Sequence, residues 1–374
     1  MLAFYNTYMK KLLLILVLSA ITNTLPSSFS AEKLFDVVTK EPSFDKRAVA
    51  FVDTVTGKNR IVEVNMSGKV VWEWKFPSHL IGKRKRSICK GADIKYLKSN
   101  DEILFIIPGV GAYIVNRKGD LKKVIKDKKI SHDIDLLPNG NFIYVRGWAD
   151  KGEDEVGEIN QSGKIVWKWS HADYFPNRDE FLSKIPKKIK MRWKGKMGRR
   201  KTLKSDGIDW AHVNGVDRLK NGDTLISLRN FMMFVIVGSD GKPKQKFQDI
   251  WLVHEPHKTA FGYIAADRFV ERGRLLHSIV KISNNGERTN LLTGQFMTVR
   301  GIEMLPNKRF NITSIGNVLE IDSNGKILHR MHLNIQSEDA KRNLSKRRRP
   351  GMVMSEGRCA HKNLYKVAKT KVYK

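Results

Sequence analysis

The chain has 374 residues, 41% of them apolar, enough for one large domain or two ordinary ones around a sizeable core. No run in its body is long and apolar enough to span a membrane. Its 69 Lys and Arg against 38 Asp and Glu give a net charge of +31. Such a balance first suggests nucleic acid, but the basic residues are spread over most of the chain rather than gathered on one stripe.

In chain order, Lys10-Lys11 precede the apolar run from Leu12 to Ile21, and Pro26-Ser27-Ser28-Phe29-Ser30-Ala31 follow. A charged start, a short apolar run and a small-residue cleavage site predict a removable export signal over residues 1–30. The run is short for a transmembrane anchor, and no Cys follows it to carry lipid. Export places the protein in the periplasm and argues against a nucleic-acid partner. It also makes Cys89 and Cys359 a disulfide candidate, joining an early segment to the C-terminal region, with two unpaired thiols as the alternative.

Two phrases then alternate along the chain. The first is a short apolar strand, a turn built on Gly and a second strand, as in Ser67-Gly68-Lys69-Val70-Val71-Trp72-Glu73-Trp74 and Ser162-Gly163-Lys164-Ile165-Val166-Trp167-Lys168-Trp169. Its glycines fall at 68, 119, 163, 241, 286 and 325. The second includes Leu136-Leu137-Pro138-Asn139-Gly140-Asn141-Phe142 and Leu219-Lys220-Asn221-Gly222-Asp223-Thr224-Leu225. Both are hairpin signatures. Two hairpins per unit, at a spacing of about 45 residues, make four-stranded propeller blades. The expected fold is therefore all-β, a six-bladed β-propeller over residues 31–336. A basic, partly helical insertion at about 172–205 explains the one wide gap between the glycines, and residues 337–374 read as a short basic C-terminal tail. The insertion and tail are solvated loops or a means of attracting anionic substrates or surfaces.

Aligning the units on the second turn gives one position per unit: Ala92, His132, Asn214, His254 and Arg300, with His212 two residues before Asn214. Arg229, on the strand after the Gly222 turn, returns toward the same end. In a propeller the innermost strands line a central channel, so these side chains would form a polar ring there. Three imidazoles can bind zinc, but fixed guanidinium charge beside a dication is unfavourable and suits an oxyanion instead. The ring thus favours a tetrahedral anion such as sulfate or phosphate. One His would attack, and the others would donate to the charge that develops. A channel hydrogen-bond network with no chemistry is the alternative.

The motif at His132-Asp133-Ile134-Asp135-Leu136-Leu137-Pro138-Asn139-Gly140-Asn141 resembles the bacterial arylsulfate sulfotransferases (aryl-sulfate:phenol sulfotransferases). So does the run from Asp209-Trp210-Ala211-His212-Val213-Asn214-Gly215 to Ser227-Leu228-Arg229. The resemblance implies an exported six-bladed propeller that needs no cofactor, metal or nucleotide donor. It also implies ping-pong transfer of a sulfuryl group from an aryl sulfate to a phenolic acceptor through a sulfohistidine. His254 would be the nucleophile, with His132, His212 and Arg229 in the catalytic set and Asn214, Arg300 and His257 contacting substrate. The segment His254-Glu255-Pro256-His257 departs from the family pattern, where an Asp follows the His. His257 is thus a rival nucleophile, although strand alternation sends it to the opposite face from His254. The partners implied are small molecules alone, with no nucleic acid and no stable membrane insertion; a homodimer is the assembly left open. Two other functions compete with transfer. One is a non-catalytic periplasmic propeller that binds an anion or acts as a scaffold; the other is hydrolysis of sulfate or phosphate esters.

Overall fold

Each glycine turn of the repeat closes a hairpin in the computed structural model of the chain. The structure describes residues 32–40, 47–53, 59–81, 92–175, 210–271, 274–294, 299, 301–314, 317–333 and 368–372. The strands are β1 (Phe35–Lys40), β2 (Arg47–Asp53), β3 (Arg60–Asn65), β4 (Val70–Lys75), β5 (Ile94–Leu97), β6 (Glu102–Ile107), β7 (Gly111–Val115) and β8 (Leu121–Ile125). There follow β9 (Ile134–Leu136), β10 (Phe142–Val145), β11 (Val156–Ile159), β12 (Ile165–Trp169), β13 (Val213–Arg218), β14 (Thr224–Leu228), β15 (Met233–Val237) and β16 (Pro243–Phe247). The last are β17 (His254–Thr259), β18 (Gly262–Glu271), β19 (Arg274–Ile282), β20 (Arg288–Thr293), β21 (Gly301–Leu305), β22 (Arg309–Ser314), β23 (Asn317–Ile321), β24 (Ile327–Leu333) and β25 (Ala368–Val372).

They form six antiparallel sheets, the six blades of a β-propeller. Blades 2 to 5 are β5–β8, β9–β12, β13–β16 and β17–β20, each in simple order. Both chain ends close the ring. β1 pairs with β24, making blade 6 five-stranded, and β25 pairs with β2 as the first strand of blade 1. Residues 368–372 of the stretch read as a tail are therefore a strand. Residues 1–30, where an export signal is expected, residues 176–209 of the insertion, the rest of the tail, Cys89, Cys359 and Arg300 lie outside the described residues.

One local device builds the turn between third and fourth strands. Asn65 Oδ1 accepts hydrogen bonds from the N–H groups of Ser67 (3.1 Å) and Lys69 (3.0 Å). Asn116, Asn160 and Asp322 repeat the pattern in blades 2, 3 and 6. The chain must then turn through a left-handed residue, and Gly68, Gly119, Gly163 and Gly325 supply it at φ values between 84° and 92°. The repeated Trp-x-Trp also has a purpose. Trp74 Nε1 donates to Gly119 O (3.3 Å) and Trp169 Nε1 to Gly241 O (2.9 Å), each tying a fourth strand to the turn of the next blade.

Apolar clusters fill the wedges between blades. Ile143, Val145 and Val156 of blade 3 meet Val216, Ile226, Leu228, Val235 and Val237 of blade 4, all buried. Inner strands are stitched by buried carboxylates. Asp93 Oδ2 accepts from the N–H of Ile134 (3.0 Å) and Asp133 Oδ2 from that of Val216 (2.8 Å), each bond crossing to the next blade. At the following junction the equivalent residues are Gly215 and Pro256. Proline has no N–H to offer, and a Cβ on Gly215 would sit 3.2 Å from Pro256 Cδ. The aspartate is absent where its donor is absent.

Candidate functional site

The ring begins with two histidines in contact. His132 and His212 both have left-handed backbones (φ 74° and 51°), and their rings meet edge to face at 4.8 Å between centroids. His132 Nδ1 is hydrogen-bonded to Ser131 Oγ at 2.7 Å, and Trp148, half-buried, lies edge-on to His132 at 5.7 Å. Gly147 permits this approach. A Cβ there would fall 2.4 Å from His132 Nδ1, 2.5 Å from the Val213 carbonyl oxygen and 2.8 Å from Ser131 Oγ. A backbone carbonyl cannot swing aside, so Gly147→Ala is expected to cost about 1–3 kcal/mol by overpacking. It should also weaken anion binding, which thermal unfolding with and without sulfate will report.

Arg229 opens a short 3-10 turn, Arg229–Phe231, directly after β14. Asn230 beside it donates its N–H to Ala211 O (2.9 Å) and its Nδ2 to Trp210 O (3.2 Å), which fixes Arg229 against the segment carrying His212.

His254 is the first residue of β17 and only 5% exposed. Its Nδ1 lies 2.7 Å from Leu252 O. A carbonyl only accepts, so the Nδ1 proton points there and the imidazole presents its lone pair at Nε2. Asn214 stands beside it in the next blade inward along the chain. Its Nδ2 donates to Val253 O (3.0 Å) and its Oδ1 accepts from Ser227 Oγ (2.6 Å). The carboxamide read as a substrate contact is thus engaged at both ends, holding the peptide that leads into His254.

His257 departs from its expected place. A bulge sets the three steps from His254 to His257 against two from Ala266 to Ile264, so both histidines point to the same side of β17. The alternation expected from a regular strand fails for that reason. His257 belongs to a second ring, three residues further along each inner strand than Ala92, His132, Asn214 and His254. Lys95, Asp135, Asp217, His257 and Glu303 pair with Leu104, Ile143, Leu225, Ile264 and Asn311 at one register position in blades 2 to 6. Lys95 Nζ is 2.8 Å from Asp135 and 3.2 Å from Asp133, and His257 Nδ1 is 3.8 Å from Asp217.

The charges in this ring move one another. Burial alone would lower the His257 pKa, but the Asp217 carboxylate beside it, with the charge of Glu255, outweighs burial and Lys95 and raises it. Burial pushes the Asp135 carboxyl up, with Asp133 and Asp217 adding to it against the pull of Lys95. A histidine held toward its charged form is a poor nucleophile, which weighs against His257 in that role. A raised histidine pKa gives stabilisation that is complete below the ordinary histidine range and is lost as pH rises through the raised value. Melting temperature should therefore fall across that window, and His257→Gln should flatten the fall in a pH series of thermal scans.

Among the described residues no group of three or more His, Cys, Asp or Glu is placed to hold a metal ion. The sequence patterning singles out neither Gly147 and Trp148 nor the Asp217 partner of His257. The first two follow a strand as an unremarked Arg146-Gly147-Trp148, and Asp217 is legible only once the register is known.

No curated protein matches the sequence. Among solved structures, a protein of unknown function from Bacteroides caccae is 15% identical, with 78% of this chain and 94% of that one covered at a TM-score of 0.50. That likeness concerns the fold alone. Virginiamycin B lyase from Staphylococcus aureus is 14% identical, with 82% and 89% covered at a TM-score of 0.43. A gluconolactonase from Xanthomonas campestris is 7% identical, with 81% and 88% covered at 0.47. Residues 94–246, which span blades 2 to 4 and hold His132, His212, Asn214 and Arg229, match the family model for arylsulfotransferase (ASST).

Proposed function

We propose that the protein moves a sulfuryl group from an aryl sulfate to a phenolic acceptor through a sulfohistidine at His254. The observation that carries the reading is the Nδ1···O contact between His254 and Leu252, which leaves Nε2 as the nucleophilic atom. In the first half-reaction Nε2 attacks sulfur. The sulfur–oxygen bond to the aryl group breaks, and the phenolate leaves with the electron pair and takes a proton. In the second half-reaction the acceptor phenol oxygen attacks sulfur, the Nε2–sulfur bond breaks, and the phenol proton is lost. Arg229 and the His132–His212 pair supply donors to the sulfuryl oxygens, a kind of contribution worth on the order of 10²–10³ in rate for each donor. No step draws on a nucleotide donor. The N-terminal signal over residues 1–30 supports action in the periplasm on small-molecule substrates.

The second reading is a propeller that binds an anion, or serves as a scaffold, without catalysis. It is favoured by one fact: the family match ends at residue 246, before His254. The test is release of chromogen from a chromogenic aryl sulfate by the purified mature protein, with and without added phenol. Transfer predicts release that rises with phenol. Release that does not depend on phenol points to ester hydrolysis, and no release leaves the anion binder.

A further inference from the structure

His254 lacks the Asp that follows the corresponding histidine in the family pattern, and the turn before it is held in another way. The geometry points to the Asp267–Arg288 ion pair as a positioning pair for the His254 imidazole, an inference that rests on His254 being the nucleophile. The turn from Asp249 to Val253 is unfavourable on its own. Asp249, Leu252 and the following Glu255 have left-handed φ values of 62°, 55° and 48°. For a residue such as Leu this conformation is strained and persists only where neighbours over-determine it.

Asp267 Oδ1 accepts from the N–H of Trp251 at 2.6 Å, and Arg288 Nη1 donates to Asp249 O at 2.9 Å. Arg288 Nη2 pairs with Asp267 Oδ2, so the two side chains grip the turn together. From the adjoining blade, Met232 O accepts from the N–H of Ile250 (3.0 Å) and Asn214 Nδ2 donates to Val253 O (3.0 Å). What this fixes is the Leu252 carbonyl, the acceptor for His254 Nδ1. The pair therefore sets which imidazole nitrogen carries the proton and where the other one points, from a distance and without touching substrate. Asp267 is buried, while the Arg288 side chain is 31% exposed on an outer strand.

The test is histidine-selective 15N labelling of the mature protein, with multiple-bond 15N–1H spectra read for His254 and assigned by loss of its signals in His254→Gln. The wild type is expected to show the Nδ1–H tautomer. Arg288→Gln and Asp267→Asn should give a mixture of tautomers. Arg288→Lys, which keeps the charge beside Asp267 but loses the second fork to Asp249 O, should fall between. Arg309→Gln is the matched control. Arg309 is also 31% exposed and pairs with a buried carboxylate, Glu320, in blade 6. It should lower stability without moving the His254 spectrum. With an aryl sulfate and phenol, Arg288→Gln should lose kcat on the order of tenfold to a hundredfold with KM little changed, as misplacement of a reacting group does. An unchanged Nδ1–H tautomer in folded Arg288→Gln and Asp267→Asn would overturn the inference. The spectrum needs no turnover, so it reads the pair even if the wild type transfers nothing.

Discussion

His254→Ala is expected to abolish phenol-dependent release of chromogen while leaving the protein folded and sulfate still bound. The residue is buried, and its Nδ1 is held by Leu252 O within the same turn, a local contact. Removing it takes away the atom that forms the bond to sulfur, whereas His132, His212 and Arg229 keep their places on blades 3 and 4. Loss of a covalent nucleophile typically costs several orders of magnitude in kcat, far beyond the effect of one oxyanion donor. His257→Ala is the informative partner. It sits among Asp217, Glu255 and Lys95, so it should cost stability and little activity. A reversal, with His257→Ala inactive and His254→Ala active, would transfer the nucleophile to the second ring.

The largest expected effect on stability lies at Arg60. This guanidinium, 2% exposed, pairs with Asp53 (2.9 Å), Glu32 (2.8 Å) and Glu73. Burial would lower its pKa, and the surrounding carboxylates raise it instead, so it remains charged. The cluster joins the second, third and fourth strands of blade 1 to the segment that leads into β1, at the seam where both chain ends close the ring. Arg60→Leu removes the guanidinium that faces Asp53, itself 1% exposed, and so takes away the opposite charge beside a buried carboxylate. Breaking such a pair from one side costs about 3–5 kcal/mol, while replacing both sides is milder. Urea unfolding should show that loss for Arg60→Leu and a smaller one for the double variant Arg60→Leu with Asp53→Leu. Equal losses would mean that the charges are not what holds the seam.

Much of this architecture is legible in the chain. The alternation of two glycine turns reports the hairpins because Asn65, Asn116, Asn160 and Asp322 organise each turn through their own side chains, and such local chemistry is visible in sequence. The strand β25 was less so. Ala368, Thr370 and Val372 alternate with Lys369 and Lys371, a two-residue period, but the segment's charge and its distance from blade 1 conceal the pairing with β2. The polar ring of Ala92, His132, Asn214, His254 and Arg300 rests on turn-anchored spacing. The spacing could not show the bulge after His254, which depends on how β17 meets β18 and which turns His257 back to the same side. Nor could it show that Asn214 spends both ends of its amide on the protein. That depends on Val253 and Ser227, brought to it by neighbouring strands.

The central claim is a covalent sulfuryl group on His254, and trapping it tests that claim most directly. The mature protein is mixed with an aryl sulfate in the absence of phenol, quenched in base, where a sulfohistidine survives, and read by intact mass and peptide mapping. The account predicts a gain of one sulfuryl group, lost in acid and on addition of phenol, located on the peptide that contains His254 and absent in His254→Ala. Chromogen release with no such adduct, or an adduct that survives in His254→Ala, would contradict it.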